Sequence, residues 1–234
     1  MKQIGLAIVL ALGVAGCTPS STPNATATPA TTVPVVASPQ TSESPPATPR
    51  PTASDDFLIK PSESFGPINA ASTKESLIET FGPENVKEET IYVGDGMEWP
   101  GMVVYPEDEE KRVEVFWWEE DPTKVQMIRI QGDKSQWKTA EGVSLGTSVT
   151  ELEELNGKPF KLLGLGWDFG GGVTDWNGGK LEGLNLRVEQ TANDVNTGED
   201  EAQILGDQEV ESNNSVMQKV NPRVFQITVN IPLN

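Results

Sequence analysis

The residues able to do chemistry in this chain are carboxylates, tryptophans and a single thiol. Its 234 residues include 35 Asp and Glu, six Trp and one Cys, and they include no His. Without His there is no Ser-His-Asp triad, no His general base and no His metal ligand. One Cys excludes an intramolecular disulfide and a zinc site built from cysteines. Paired carboxylates remain able to hydrolyse glycosidic bonds, although no motif selects a pair.

A net charge of −18 restricts the partners that the chain can bind. Nucleic acids and anionic lipid surfaces are bound mainly through Lys and Arg, which number only 17 here. We therefore expect no nucleic-acid partner. No motif predicts a cofactor or a catalytic site, and we expect a protein that is not an enzyme.

Trp117 and Trp118 are the tryptophans best placed for binding, because they are adjacent in a predicted strand. Neighbouring residues of a strand point to opposite faces of its sheet. One indole can therefore fill the core, while the other is either covered or offered to a partner. Exposed Trp suits protein interfaces and stacking on sugars alike. Core packing alone, a protein partner and a glycan partner all remain open.

The string Trp167-Asp168-Phe169, followed by glycines at 170–172, is a second candidate. Glycines permit positive φ and close backbone approach, which could cradle an anion. No Gly-Lys-Ser/Thr follows, so a P-loop is not predicted, and a hairpin turn beside packed aromatic rings is the simpler interpretation. With Trp176 nearby, the candidate binding residues are Trp117, Trp118, Trp167, Asp168 and Trp176.

An acidic stretch at 194–201 imitates a calcium-binding loop. In an EF-hand the sixth loop position is Gly and the twelfth is Glu. Here Gly198 falls at the fifth position and Leu205 at the twelfth. We therefore interpret the stretch as a solvated acidic loop and predict no metal site, with weak Ca²⁺ binding as the alternative.

The thiol of Cys17 follows a segment typical of secretion signals. Lys2 supplies a positive charge, and residues 4–15 form an unbroken run of apolar residues and glycine. Such a run spans about 18 Å as a helix, too short for roughly 30 Å of hydrocarbon. Residues 1–16 are therefore predicted to be a signal peptide.

Residues 14–17, Val-Ala-Gly-Cys, resemble the lipobox of bacterial lipoproteins. The resemblance implies cleavage before Cys17 and acylation of its thiol and of the new amino group. Several acyl chains, at about 0.8 kcal/mol per buried CH₂, would attach the protein permanently to a lipid bilayer. Thr18 stands where the family's inner-membrane retention signal usually has Asp. This implies the bacterial cell envelope, and the outer membrane if the source is Gram-negative. An ordinary signal peptide with a chance Cys is the alternative.

Residues 17–56 are predicted to be a tether that carries the lipidated Cys. Pro, Thr, Ser and Ala make up 30 of the 37 residues at 18–54, which include no aromatic residue. Such a segment buries too little apolar surface to offset the ordering of its backbone, so we expect it to stay disordered with polyproline bias. It would reach about 115 Å as a polyproline helix, or about 35 Å as a coil.

Residues 57–234 are predicted to fold as an α+β module of two tandem repeats, 57–140 and 141–234. Each repeat contains a Ser-x-x-Glu capping box, a short apolar stripe and a glycine, which together predict a helix of two to three turns. The boxes begin at Ser72 and Ser148. The leucines and glycines that follow them lie 75 residues apart in the two copies.

Each predicted helix is too short to be stable alone, so it must pack on a sheet. Runs of β-forming residues bounded by turns follow both helices. The predicted strands lie at 90–94, 102–105, 112–118 and 125–131 in the first repeat, and at 160–169, 172–176, 184–189 and 224–231 in the second. An acidic, Asn-rich insertion at 191–218 separates the last two strands.

The stretch from Gly146 to Pro159 reads Gly-Thr-Ser-x-x-Glu-Leu-x-x-x-x-Gly-x-Pro and resembles two bacterial families. One is the tandem-repeat β-lactamase inhibitor proteins. The other is the SmpA/OmlA outer-membrane assembly lipoproteins, single copies of a similar unit. The resemblance implies a helix packed on an antiparallel sheet of about four strands in each repeat. These families usually have a second helix before the Gly-Thr turn, where this chain has only residues 135–141.

These features together predict a membrane-anchored extracytoplasmic lipoprotein that presents a non-catalytic module. Its partners would be the lipid bilayer, through acylated Cys17, and an envelope protein that the module binds or helps to assemble. A lipoprotein that binds glycan or cell wall through exposed Trp and acidic residues is the alternative. A carboxylate-based hydrolase is a third.

Overall fold

In the computed structural model, which describes residues 56–190 and 198–232, the chain has the mixed α+β architecture that the sequence predicts. The described residues fall within one compact unit and contain three α-helices and several largely antiparallel sheets. No helix within these two ranges is long and apolar enough to cross a membrane. The predicted signal peptide, Cys17 and almost all of the predicted tether lie outside the described residues.

The two predicted helices form at equivalent places in the two halves of the chain. Helix α1 spans Lys74–Phe81 and helix α2 spans Val149–Asn156, so their first residues are 75 apart. Each has eight residues and ends at a glycine with positive φ, Gly82 or Gly157, as predicted. A third helix, α3 (Ser215–Val220), was not predicted and begins within the predicted insertion at 191–218.

A capping box begins both helices, but only one of them was placed correctly from the sequence. In α2, the Ser148 hydroxyl accepts from the Glu151 backbone, and the Glu151 carboxylate accepts from the Ser148 backbone, as predicted. In α1, Thr73 and Ser76 form this pair. The expected box at Ser72 is wrong, because its hydroxyl accepts from a backbone N–H in the preceding turn. The correction brings the two helix starts into register.

We expect Ser148→Ala to lower the free energy of unfolding by about 1 kcal/mol, because it removes the acceptor for a backbone N–H in the first turn of α2. Thr73→Ala should have a similar effect on α1. Glu79→Gln, at an exposed position on α1, is the control and should leave stability unchanged. Urea unfolding followed by circular dichroism measures all three. A Ser148→Ala effect no larger than the control's would contradict the cap.

Five of the eight predicted strands form within one residue of their expected bounds, and several short strands are added. The strands expected at 90–94 and 102–105 begin four and five residues earlier. The strand expected at 160–169 covers only Lys161–Leu163, because the backbone leaves the extended conformation before Gly166, which has φ +82°. In chain order the strands are β1 (Leu58–Lys60), β2 (Ser64–Phe65), β3 (Ile68–Asn69), β4 (Val86–Gly94), β5 (Met97–Val104), β6 (Val113–Trp117), β7 (Val125–Gln131), β8 (Lys138–Thr139), β9 (Lys161–Leu163), β10 (Val173–Asp175), β11 (Asn185–Glu189), β12 (Glu209–Glu211) and β13 (Arg223–Asn230).

The principal sheet contains strands from both halves of the chain. Its six strands lie in the order β11-β13-β7-β6-β5-β4, and every neighbouring pair is antiparallel. The join is between β7 and β13, the last strands of the two predicted repeats, where Ile130 lies opposite Ile227. A smaller sheet, β10-β9-β12, approaches β11 through a bridge between Gly172 and Arg187. Whether the two halves are tandem repeats stays a prediction.

A four-stranded sheet at the start of the described chain was not predicted. It has the order β3-β2-β1-β8, with β1 parallel to β8, and it occupies the places before α1 and α2. Phe65 and Trp137 are fully buried there. Residues 135–141 contribute β8 and turns.

The helices cover one face of the principal sheet. Leu77 of α1 and Leu152 of α2 belong to the same apolar core as Val115, Ile128 and Ile227 of the sheet. This single core runs through both halves of the described chain, which is why neither helix stands alone.

The opposite face is partly covered by the β4–β5 hairpin. Arg129 of β7 donates to the backbone carbonyl of Tyr92 on β4 at 2.8 Å, although two strands separate β4 from β7. Neighbouring strands lie about 4.8 Å apart, so a flat sheet would place β4 out of reach. The hairpin therefore folds over this face and covers a second cluster of Ile91, Val103 and Phe116.

Candidate functional site

A cleft opens where β5 and β6 separate. The two strands pair only from Gly101 to Val104, whereas β5 begins at Met97 and its first residues pair with β4 alone. Pro100 has no N–H to donate to a second neighbour, and the β5–β6 pairing ends at the adjacent Gly101. On the other side of β6, β7 has one extra residue, Gln126, between the partners of Phe116 and Trp117. A cleft of about 770 Å³ opens here, which we call the aromatic cleft.

Four aromatic rings line the aromatic cleft: Trp99, Phe116, Trp117 and Trp118. Trp99 is 40% exposed and stands edge-on to buried Phe116, with ring centroids 6.3 Å apart. Trp117 is half-buried against the main core, as expected for one member of the predicted pair. Trp118 follows the end of β6 and is also half-buried. Because Trp118 lies beyond the last residue of β6, the alternation of a strand does not apply to it, and both predicted indoles line one cleft.

Two indole N–H groups in the aromatic cleft lack acceptors. The Nε1 atoms of Trp117 and Trp118 are buried and have no hydrogen-bond partner among the described residues. The Nε1 atoms of Trp137, Trp167 and Trp176 each donate to a backbone carbonyl, at 2.7–2.9 Å. A buried donor without a partner costs about 1–3 kcal/mol, so native structures leave few of them. The unpaired donors therefore single out this part of the fold.

The rim of the aromatic cleft is acidic. Its lining includes Glu88, Glu89, Glu119 and Glu120, against one cation, Lys74. Glu119 and Glu120 are exposed and form no ion pair with the described residues. The rim therefore carries an excess of negative charge toward solvent.

Glu89 is the rim carboxylate that contacts two cations. Its carboxylate lies 3.1 Å from the Lys87 ammonium and 3.3 Å from the Arg112 guanidinium. The hydrogen bond from Lys87, followed by that from Arg112, lowers the pKa of Glu89. Glu89 therefore keeps its negative charge to a lower pH than an isolated glutamate does.

Lys74 bridges the aromatic wall and the acidic rim. Its ammonium lies 2.7 Å from the Glu88 carboxylate and 5.7 Å from the centre of the Trp117 ring. A cation over the face of an indole is attracted by the negative ring face. The cleft wall thus already holds one positive charge between a carboxylate and an indole.

Trp167 and Asp168 lie in the connection between β9 and β10, apart from the aromatic cleft. Trp167 is half-buried and stands edge-on to exposed Phe169, with centroids 5.5 Å apart. Asp168 is exposed, and its carbonyl accepts from Arg187. The two residues remain together on the surface, as their adjacency in the sequence requires.

The glycines at 170–172 end the connection between the antiparallel strands β9 and β10, which begins at residue 164, in agreement with the hairpin interpretation. Gly171 has φ +73°, and a Cβ there would lie 1.8 Å from the Val188 carbonyl oxygen, so the backbone approach requires glycine. The carbonyl of Gly170 accepts from the Arg187 guanidinium. Burial lowers the pKa of Arg187. The loop thus presents carbonyl groups to a cation, the opposite of an anion cradle.

Trp176 is a core residue. It is only 4% exposed, its ring lies 4.7 Å from that of Phe160, and its Nε1 donates to the Leu184 carbonyl at 2.7 Å. Both the ring and the N–H of Trp176 therefore contact groups inside the protein, and the residue packs in the core.

The predicted acidic insertion is partly structured. Residues 198–203 form a 3₁₀ helix, and β12 and α3 follow it. The calcium-like stretch begins at 194–197, outside the described residues. Within the described ranges, no group of three Asp, Glu or Cys side chains is placed to hold a metal ion.

Sequence reasoning missed Trp99, Phe116, Lys74 and the four rim carboxylates. One signal was available, because Pro100 interrupts a run of β-forming residues, and proline within a strand indicates an unpaired edge. Of the five predicted binding residues, Trp117 and Trp118 meet in the aromatic cleft, Trp167 and Asp168 share another loop, and Trp176 is buried.

Comparison with known proteins finds no matching family model, no matching curated protein and no matching solved structure.

Proposed function

We propose that this chain is a lipid-anchored, non-catalytic binding protein of the bacterial cell envelope, which engages a protein partner through the aromatic cleft. Acylation at Cys17 after removal of residues 1–16 would fix the chain to a bilayer. The Pro- and Thr-rich residues 17–56 would then hold the folded module away from the lipid surface. If the source is Gram-negative, Thr18 favours the outer membrane.

The aromatic cleft is the observation that carries this proposal. Residues that dominate protein interfaces are enriched in Trp and lie in partly desolvated pockets surrounded by a polar rim. The cleft combines three tryptophans and Phe116 with exposed carboxylates on its rim. Two of those tryptophans also have unpaired indole donors, which a bound partner can help to satisfy after a small side-chain shift.

We further propose that residues 57–140 and 141–234 are two copies of one unit. Helices of equal length start 75 residues apart, after equivalent capping boxes, and each precedes a set of antiparallel strands. Strand β7 of the first copy pairs with β13 of the second. On this proposal the aromatic cleft belongs to the first copy, and the insertion at 191–218 distinguishes the second.

A glycan-binding lipoprotein is the second candidate, because Trp99 is 40% exposed beside carboxylates that can bind sugar hydroxyl groups. A carboxylate-based hydrolase ranks third. Such an enzyme needs a carboxylic acid with a raised pKa. Burial, and then the nearby Asp133, raise the pKa of Glu189, but Glu189 lies on β11 and does not line the aromatic cleft.

Photocrosslinking from the cleft rim tests the proposed function. The photoreactive amino acid benzoylphenylalanine replaces Glu120 in the full-length chain, and a second version carries it at Glu182, exposed in the other half of the chain. After irradiation of intact cells, we expect the Glu120 position to give discrete protein adducts that the Glu182 position does not. Identical adducts from both positions, or adducts with polysaccharide alone, would contradict the proposal, and the latter would favour the glycan candidate.

A further inference from the structure

We infer that the aromatic cleft recognises a cationic side chain, the guanidinium or ammonium group of a basic segment in the partner protein. This inference rests on the proposed function and names the chemistry of the partner. It depends on three observations: the charge of the rim, the position of Lys74 and the arrangement of the aromatic rings.

The rim attracts positive charge. Four carboxylates and one ammonium group line the aromatic cleft, and the whole chain carries a net charge of −18. Glu88 and Glu89 are paired with cations of this chain. Glu119 and Glu120 have no such pairing within the described residues, and both are exposed. These two carboxylates are therefore the ones that an incoming cation can neutralise without displacing an internal ion pair.

Lys74 shows how a cation fits this wall. Its ammonium stands 5.7 Å from the centre of the Trp117 ring and 2.7 Å from Glu88. A cation held between an indole face and a carboxylate gains from both, and desolvation strengthens the aromatic contribution. A partner's guanidinium placed beside Trp118 or Trp99 would meet the same combination of indole and carboxylate.

The arrangement of the rings suits an inserted side chain of the partner better than a flat apolar surface of the partner. The planes of the Trp99 and Phe116 rings lie at 80° to each other, so the two rings do not stack into one flat apolar surface. A guanidinium is planar and stacks on aromatic faces, whereas an aliphatic side chain gains nothing from the carboxylates around it. The partner is therefore expected to insert Arg or Lys.

The test follows the tryptophan indole resonances by NMR in the full-length chain, labelled with ¹⁵N at Trp and carrying Cys17→Ser to prevent acylation. The probe is the peptide acetyl-Gly-Arg-Gly-Arg-Gly-amide, and its control has citrulline, which is neutral and nearly isosteric, in place of both arginines. We expect the resonances of Trp99, Trp117 and Trp118 to shift with the arginine peptide. Those of Trp137 and Trp176, whose Nε1 atoms already have carbonyl partners, should remain unchanged.

Affinities from the same titration give the second comparison. The citrulline peptide should bind about tenfold more weakly than the arginine peptide, because it lacks the charge. Glu119→Gln combined with Glu120→Gln should weaken the arginine peptide about fivefold, since each exposed carboxylate contributes modestly. Lys74→Met should strengthen it about threefold by removing the internal ammonium.

Several results would overturn the inference. Equal binding of the two peptides would mean that charge is not recognised, and no shift with either would mean that the cleft does not take a cationic side chain. Either result leaves the crosslinking test of the proposed function standing. Resonance shifts caused by Arg50→Gln alone, without any peptide, would assign the cleft to the chain's own tether. We expect Arg50→Gln to leave the spectrum unchanged.

Discussion

Arg129→Met and Glu114→Gln are each expected to lower the free energy of unfolding by about 3–5 kcal/mol. The two side chains are 4% and 2% exposed, and their charged atoms are 2.7 Å apart. Removing Glu114 leaves the Arg129 guanidinium buried with an uncompensated charge, and removing Arg129 leaves the buried Glu114 carboxylate with only the part-exposed Arg112 at 3.4 Å. The Arg129 guanidinium also donates to the Tyr92 carbonyl, so its loss releases the hairpin that folds over the sheet.

The double variant Glu114→Leu with Arg129→Met distinguishes the effect of removing both ions from the effect of leaving one buried ion without its partner. Replacing both ions by apolar side chains of similar size is often close to neutral, because the desolvation penalty is removed together with the attraction. We therefore expect the double variant to be more stable than either single variant. Lys60→Met, which removes an exposed ion pair with Glu63, is the control and should cause no measurable change. Urea unfolding measures all four, and single variants as stable as the control would contradict a buried pair.

Cys17→Ser should abolish covalent lipid attachment completely. Only a thiol can form the thioether that the lipobox resemblance implies, and Cys17 is the only Cys in the chain. Cells grown with radiolabelled palmitate should label the native chain and leave the variant unlabelled and uncleaved at residue 17. Thr18→Ser is the matched control and should keep the label. Palmitate incorporation into the Cys17→Ser variant would contradict the anchor.

Local pattern predicted α1, α2 and most of the strands of the principal sheet, but not α3. The first and last residues of the strand Val125–Gln131 were both predicted correctly, because apolar and polar residues alternate along its length. The helices were placed by their glycines and by the apolar stripes around Leu77 and Leu152. In each case the signal lies within about ten residues of sequence, which is the range that periodicity and capping cover.

The small sheet of β1, β2, β3 and β8 escaped prediction for the opposite reason. Its strands have only two or three residues, too few to show alternation, and β1 pairs with β8 from about 80 residues away. The pairing of β7 with β13 is equally remote in sequence. Tertiary packing decides such pairings, and a single sequence holds no local trace of them.

The aromatic cleft was predicted only in part. The tryptophan pair was recognised, because two adjacent indoles in one strand cannot both be buried in the same core. Lys74, Glu88, Glu89 and Trp99 come from α1, β4 and β5, and the curled hairpin brings these strands to the end of β6, which no local pattern indicates. Trp176 was misjudged as a binding candidate, because composition alone does not distinguish a buried indole from an exposed one.

The affinity of the crosslinked partner for two tryptophan variants tests the central claim most directly. Trp118 lines the aromatic cleft, whereas Trp167 is a half-buried indole in another loop and serves as the matched control. We expect Trp118→Ala to weaken partner binding about thirtyfold, the size of a typical interface hot spot, and Trp167→Ala to change it less than about twofold. Both variants should first be shown by urea unfolding to remain folded. A larger loss with Trp167→Ala than with Trp118→Ala would show that the cleft is not the binding surface.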